Sequence, residues 1–454
     1  MSDTLFEYQK VNPTTWVYLS SLLTIALYFK FSRVFSVRNL DLIGLIMLAP
    51  GLVMVEYGLA KGSGNIEQIG YIWLFTTGGL FMIRLLLDPI MVRRPLLEPN
   101  LSAGGMTFLG LSLFVFLMAN VVNSQMEPDD LAGAKGAEQV QALQAPSPLD
   151  KPDLATHGPG YPLLHLLPSL STQALLIEDT GGQTPQERSL RRDRVRIATA
   201  RTMAILSHLA IVIGIVLIGY RHFDNIRTGI AAATLYLLLP YTAQLTGRVD
   251  HVLPAALLVW AVEAYRRPLV SGMLMGLAIG VIYYPVFLLP LWLGFYWQRG
   301  LLRFSLGVVT TLAVLIASLA FTSDSMAAFT EQVQQMFGWT SLAGRDLTGF
   351  WGFGFLDPAY RYPVLALLAA FCVSLAIWPA QKNLGTLMSC SAAVMLATQF
   401  WHPHNGGLYM AWYVPLVLLT IFRPNLEDRV ALSVLGAGWF PRRRAHLGGA
   451  GQAA

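Results

Sequence analysis

Residues 197–299 read IATARTMAILSHLAIVIGIVLIGYRHFDNIRTGIAAATLYLLLPYTAQLTGRVDHVLPAALLVWAVEAYRRPLVSGMLMGLAIGVIYYPVFLLPLWLGFYWQR. Apolar runs of roughly membrane-crossing length are separated by short polar turns, the signature of consecutive membrane segments. The turns YRHFDNIR, YRRP and QRGLLR are basic, and alternate with TGRVDH, which carries Arg248, Asp250 and His251. An arginine and an aspartate held between apolar spans are expensive to place and mark a site rather than a spacer.

The rest of the chain has the same character. It has 454 residues, 54% hydrophobic and 13% charged, where soluble domains carry about 25% charged residues. Its mean hydropathy is +0.52. The fold class this predicts is all-α, a polytopic membrane protein. The net charge of +5 comes from arginines in the turns and tail, a positive-inside pattern and not a nucleic-acid footprint. Cys372 and Cys390 both fall in apolar runs and read as packed thiols. The polar first 14 residues do not resemble a cleavable leader, so the first span is expected to act as its own insertion signal.

Counting apolar runs gives about 13 transmembrane helices: three within 15–87, one at 104–123 and nine between 200 and 422. Three units follow: an N-terminal three-helix membrane extension (1–100), a main transmembrane unit (101–425) with loops at 124–198 and 322–361, and a tail (426–454). Lys30, Arg33, Arg38, Arg93, Arg94, Arg221, Arg227, Arg266, Arg267, Arg299, Arg303 and Lys382 sort to one side. That side is the cytoplasmic one, with the N-terminus outside and the C-terminus inside. Residues 188–201 carry six arginines on the outer side, which a long loop tolerates because long loops translocate largely regardless of charge. HGPGYPLLHLLPSLSTQALL (157–176) reads as an interfacial segment. The middle of the first loop, LAGAKGAEQVQALQAPSPLDKP (131–152), reads as flexible by composition.

The outer side collects the chemistry. Asp129 and Asp130 follow the fourth span; His157, Tyr161 and His165 lie further along that loop, and Arg201 opens the next span. Arg248, Asp250 and His251 share one turn, Arg345 and Asp346 lie in the second loop, and His402 and His404 flank Pro403. A carboxylate can take a proton from a hydroxyl, and arginines hold phosphate through paired N–H donors. With aromatic residues to line a groove for a lipid tail, this set suggests group transfer from a lipid phosphate. Each element also has a plainer role. Paired aspartates cap helices, border arginines snorkel to head groups, and Arg248 and Asp250 can form a local ion pair. Two histidines without a third ligand do not make a metal centre.

The order of these features resembles the GT-C superfamily of integral-membrane glycosyltransferases, and within it the polyprenol-phosphate-mannose-dependent mannosyltransferases. The resemblance runs through VVNSQMEPDD, HGPGYPLLHLLPSL, ATARTMAILSHLAIVIGI, TGRVDHVLPAALLVWAVEAYRRP, SGMLMGLAIGVIYYPVFLLPLWL and FWHPHNGGLYMAWYVPLVLL. It covers about residues 104–425 and leaves the first three spans without a counterpart. It implies a GT-C-like fold with a large first periplasmic loop bearing interfacial helices, in a bacterial inner membrane. The implied activity is transfer of a sugar, mannose or another hexose, from a polyprenyl-phosphate donor to a periplasmic glycan or lipid acceptor by a single inverting displacement. Asp129 or Asp130 stands at the position of the catalytic acid, with Asp129 preferred. Arg201, Arg248 and Arg345 become candidates for the lipid phosphate, and His402 and His404 for the sugar or acceptor. Asp250, His251, His157 and Tyr161 complete the implied substrate-binding set, and no cofactor or metal is implied. A catalytically inactive scaffold of the same fold, or a transporter of lipid-linked sugars, shares part of this pattern. An ion-coupled transporter is expected to place charges at mid-membrane, whereas Glu56, Arg84 and Glu263 lie toward span ends.

Overall fold

The computed structural model describes residues 12–91, 97–124, 126, 128–141, 157–176, 185–320, 323, 325–337, 347–354, 356–380 and 382–424. Helices make up this region, and among the described residues there is no strand. The chain is a membrane-embedded helical protein: seven of its helices are long and apolar enough to cross a bilayer, among the described residues.

Helix α1 (Pro13–Tyr28) starts where Asn12 accepts a hydrogen bond from the Thr14 N–H, and α2 (Val37–Lys61) starts where Ser36 accepts from the Asn39 N–H. Each cap satisfies one of the free donors at a helix start. Helix α3 (Gly64–Leu87) returns antiparallel to α2, and α4 (Ala103–Asn123) opens on a Ser102 cap. Next come α5 (Ala132–Gln141), α6 (Gly160–Leu176) and α7 (Pro185–Arg221). The stretch quoted first supplies the end of α7, then α8 (Ile226–Leu238), α9 (Pro240–Gln244), α10 (Val249–Glu263), α11 (Pro268–Val281) and α12 (Leu289–Tyr296). Helices α13 (Leu301–Ala320), α14 (Met326–Met336), α15 (Arg361–Ile377), α16 (Leu384–Trp401) and α17 (Val414–Phe422) complete the described chain.

Several expected spans are shorter than their apolar runs. Residues 228–246 break at Pro240, which opens α9. Residues 285–298 form a 3-10 turn (Tyr284–Leu288) before α12. In 407–422 only α17 is an α-helix, nine residues long. Proline removes a backbone donor and restricts the residue before it, so each run is divided where a proline stands. These short pieces pack at the protein's centre, where neighbouring helices cover their ends. Helix α16 is central too: nearly all of its residues are buried, although Ser389, Ser391, Thr398 and Gln399 lie along it. Ser391 accepts from the Trp292 indole at 3.1 Å and the Gln399 side-chain oxygen from the Gly407 N–H at 3.1 Å, which satisfies these two buried oxygens.

The first loop differs from its compositional reading. Residues 132–141 are not loose but form α5, whose Gly133, Ala134, Gly136 and Ala137 are buried. A Cβ on Gly133 would lie 2.6 Å or less from three atoms of the His165 ring, and one on Gly136 would lie 2.8 Å from Pro162. Small residues at helical spacing let α5 lie directly on α6, as they do between membrane helices. Residues 142–156 of that loop are outside the described residues. The arginine run continues α7 itself. At 37 residues this helix is about 55 Å long, against about 30 Å of bilayer hydrocarbon. Its basic end is tied to α5 by Arg196 and Glu138 at 2.8 Å, and to α6 by Thr199 and Thr172 at 2.8 Å.

A buried ion cluster joins three helices at the end of the bundle where α2 begins. Arg84 forks onto both oxygens of Asp41 at 2.7 and 2.8 Å and reaches Asp88 at 3.0 Å. Arg423, just past α17, meets the other Asp88 oxygen at 2.6 Å. Asp88 is fully buried and binds two cations. Removing one partner of such a cluster leaves uncompensated buried charge and costs about 3–5 kcal/mol. Asp88→Ala is therefore expected to lower the melting temperature of the detergent-solubilised protein sharply, and Asp41→Asn to lower it less, since Arg84 keeps Asp88.

Candidate functional site

At the opposite end of the same helices a cavity of about 640 Å3 opens. The TGRVDH turn places its key side chain. Helix α9 ends at Gln244, the Arg248 N–H returns to the Leu245 carbonyl at 3.2 Å, and α10 begins at Val249. Arg248 thereby stands at the helix entrance and Asp250 in its first turn. The Arg248 Nε and one terminal nitrogen each reach an Asp250 oxygen at 3.2 Å. Nε also lies 3.1 Å from Asp130 Oδ1. Neighbouring Asp250, with Asp130 behind it, raises the Arg248 pKa above its ordinary value, so the group is cationic throughout the physiological range.

Around this trio the fold fixes further groups. His251 lies 3.7 Å from Asp250, and its Nδ1 is 2.8 Å from the Tyr241 hydroxyl. The Trp412 indole donates to the Asp250 carbonyl at 3.2 Å. His157 stacks on Tyr161 with ring centroids 4.3 Å apart. The turn carrying them sits directly on α11: the Gly158 N–H donates to the Val281 carbonyl at 2.9 Å, and a Cβ on Gly158 would lie 2.3 Å from the Gly280 carbonyl oxygen. Only a glycine fits against that backbone. Tyr161 is buried and its hydroxyl has no hydrogen-bond partner among the described residues; burial and the Asp250 charge push its pKa up. His165 is packed behind it with Nδ1 2.7 Å from the Tyr161 carbonyl, and burial lowers its pKa to about 4.

The facing wall comes from the turn after α16. His402 Nδ1 accepts from the His404 N–H at 3.1 Å, which assigns the ring proton of the neutral form to Nε2. Asn405 adopts φ +52°, a left-handed conformation that asparagine tolerates better than most residues. Its side chain accepts from the Tyr71 hydroxyl at 3.1 Å. The His402 ring stacks between Tyr284 at 4.6 Å and Tyr409 at 4.4 Å, and Tyr409 stacks on Trp412 at 4.4 Å.

His157, Arg248, Asp250, His402 and His404 thus line one cavity, with Asp130 bound to Arg248 and with Tyr161 and His251 packed behind. Arg201 is not part of the lining. One of its terminal nitrogens donates to the Ser124 carbonyl at 2.8 Å, and its Nε is buried without a partner among the described residues. Arg345 and Asp346 lie outside the described residues, as does the Asp129 side chain. Sequence reasoning missed several lining groups. Gln244, Tyr284, Tyr409 and Trp412 line the cavity and were not among the candidates. Glu56 enters from α2, in the extension treated above as separate, together with Leu52, Val55 and Leu59. The available signal was one acid in an otherwise apolar stretch of helix, which usually marks function.

The cavity offers carboxylates beside a fixed guanidinium, neutral imidazole and an aromatic face. Comparison of the chain with family models, curated proteins and solved structures returns no match. The arrangement of these side chains therefore carries the functional argument.

Burial drives the His402 pKa well below its ordinary value, with the nearby His404 adding to the effect. The unfolded chain then binds a proton below about pH 6.5 that the folded chain refuses, so stability contributed by this group is present above that pH and lost below it. Melting temperature is expected to fall between about pH 7 and pH 5, and to fall less steeply in His402→Gln. An unchanged slope would assign the pH dependence to another buried histidine.

Proposed function

We propose that this chain is a GT-C-type membrane glycosyltransferase, crossing the bilayer about 13 times. It would transfer a hexose, mannose or a relative, from a polyprenyl phosphate to a glycan or lipid acceptor on the periplasmic face of a bacterial inner membrane. The observation that carries the reading is the meeting of Asp130 and Asp250 on Arg248, beside one cavity that Arg248, Asp250, His402 and His404 line together. These residues come from segments far apart in sequence.

In this proposal Asp130, or its neighbour Asp129, takes the proton of the acceptor hydroxyl. The acceptor oxygen attacks the anomeric carbon from the side away from the phosphate. The bond from that carbon to the phosphate oxygen breaks, the polyprenyl phosphate leaves with the electron pair, and the configuration inverts. Tyr284, Tyr409 and Trp412 offer flat faces to a sugar ring, with His402 and His404 as polar contacts. Arg248 directs two nitrogens at the acids. We therefore assign it to holding Asp130 and Asp250 as carboxylates, and give the lipid phosphate to Arg201 and Arg345. The charge of a monophosphate leaving group is within reach of guanidinium stabilisation.

The test is incubation of purified protein with radiolabelled polyprenyl-phosphate mannose and membrane extract, following label into lipid and glycan fractions. Asp130→Asn is expected to lower transfer by about 10²–10⁴, the usual cost of losing a general base. Full turnover by the Asp129→Asn, Asp130→Asn double variant would overturn the mechanism. A second measurement separates the arginines. Lysine keeps charge but loses the planar fork, so Arg201→Lys is expected to weaken donor Kd about tenfold, or ~1.4 kcal/mol. Arg248→Lys is expected to slow transfer with donor Kd little changed. The reverse pattern would return the phosphate to Arg248.

A further inference from the structure

A second cavity, of about 560 Å3, lies at the far end of α2. By helix rise, Asp41 in its wall is about 22 Å along α2 from Glu56. Arg33, Arg38 and Arg84 line it, with Asp41 as the acid among the lining residues. That acid is already matched, since both its oxygens are held by Arg84. Two cations remain. Arg38 is buried and fixed in the wall by donating to the carbonyls of Tyr28 and Glu98 at 3.3 and 2.7 Å. Arg33 is exposed at the mouth, and its guanidinium makes no ion pair among the described residues. Lys30 adds a third cation beside them, its Nζ donating to Asn100 at 3.1 Å. The exposed Glu98 acts on Arg38 from outside the lining.

The rim is apolar. Phe35 in the cavity wall is 90% exposed, beside Val34 and Val37, which are also exposed. From Val37 the exposed residues Leu40, Ile43 and Met47 continue along one side of α2. Their spacing keeps them on neighbouring turns of one face for about 15 Å. A cationic pocket that opens onto an apolar stripe fits an amphiphile with a negative head and a hydrocarbon tail. A soluble anion would use the arginines alone, whereas a lipid head held there lays its chain on the face that α2, long and apolar enough to cross a bilayer, leaves exposed.

We propose that this cavity binds the phosphate of an anionic phospholipid, with its acyl chain along Val37, Leu40, Ile43 and Met47. Basic pockets between membrane helices recognise such head groups. The site is separate from the cavity holding Arg248 and does not depend on the glycosyltransferase reading. Detergent-solubilised protein is titrated with short-chain phosphatidylglycerol, phosphatidylcholine or inorganic phosphate, following melting temperature and intrinsic tryptophan fluorescence. Phosphatidylglycerol is expected to bind about tenfold more tightly than phosphatidylcholine, or ~1.4 kcal/mol. Arg33→Gln, an exposed change compatible with folding, is expected to remove most of that preference, and Arg33→Gln with Arg38→Gln all of it. Equal binding of the two lipids, or an unaltered preference in Arg33→Gln, overturns the proposal. Inorganic phosphate reproducing the whole shift overturns the lipid assignment in favour of a free-anion site.

Discussion

The guanidinium of Arg248 is the constraint around which the site is arranged. It reaches Asp250 two residues away and Asp130 more than a hundred residues earlier. Fully ionised, the trio carries one more negative charge than positive, and both acids are largely buried. Such an arrangement is costly unless each charge is held by several groups. Arg248 contacts both carboxylates and stays in contact with the cavity, His251 lies 3.7 Å from Asp250, and Trp412 and Tyr241 hold the Asp250 backbone and the His251 ring in place. One residue thereby couples the segment after α4 to the entrance of α10.

The two ends of the helices solve different problems with the same residue types. At the Asp41–Arg84–Asp88–Arg423 end, two acids face two arginines with short contacts and little exposure. Within these four residues the charges balance, and the cluster serves as a clasp joining α2, α3 and the chain after α17. At the Arg248 end the charges do not balance and the groups border open space. Matched buried pairs mostly specify structure, whereas acids and bases that border a cavity without such matching are poised to meet a ligand. Helices α2 and α3 contribute to both ends, with Asp41 and Arg84 at one and Glu56 and Tyr71 at the other.

Much of this was legible in the sequence, for identifiable reasons. Long apolar runs bounded by charges report membrane helices directly, so α2, α3, α4 and α16 match their sequence readings closely. The TGRVDH turn stood out because charge between apolar spans is costly. Helix α5 did not stand out, since its glycines and alanines imitate a linker until α6 is present to receive them. The breaks before α9, α12 and α17 depend on how prolines are covered by neighbours, which a hydropathy reading does not contain. Glu56 and the aromatic wall were hidden for a related reason. An isolated acid in a span, or a tyrosine at its edge, acquires meaning only when another helix places it against the same cavity.

The three-helix extension shows the same dependence on neighbouring helices. A resemblance confined to about residues 104–425 treats α1, α2 and α3 as an addition to a complete unit. The packing is otherwise. Helix α2 supplies Leu52, Val55, Glu56 and Leu59 to the cavity wall, and Tyr71 of α3 holds the turn carrying His402 and His404 through Asn405. Phe75 of α3 stacks on Phe350, with ring centroids 4.2 Å apart, beside the residues next to His404. Remove these helices and the cavity loses one wall together with one of its acids. A ligand in this cavity meets α2 as well as the segments after α4, so the extension is part of the wall that shapes it.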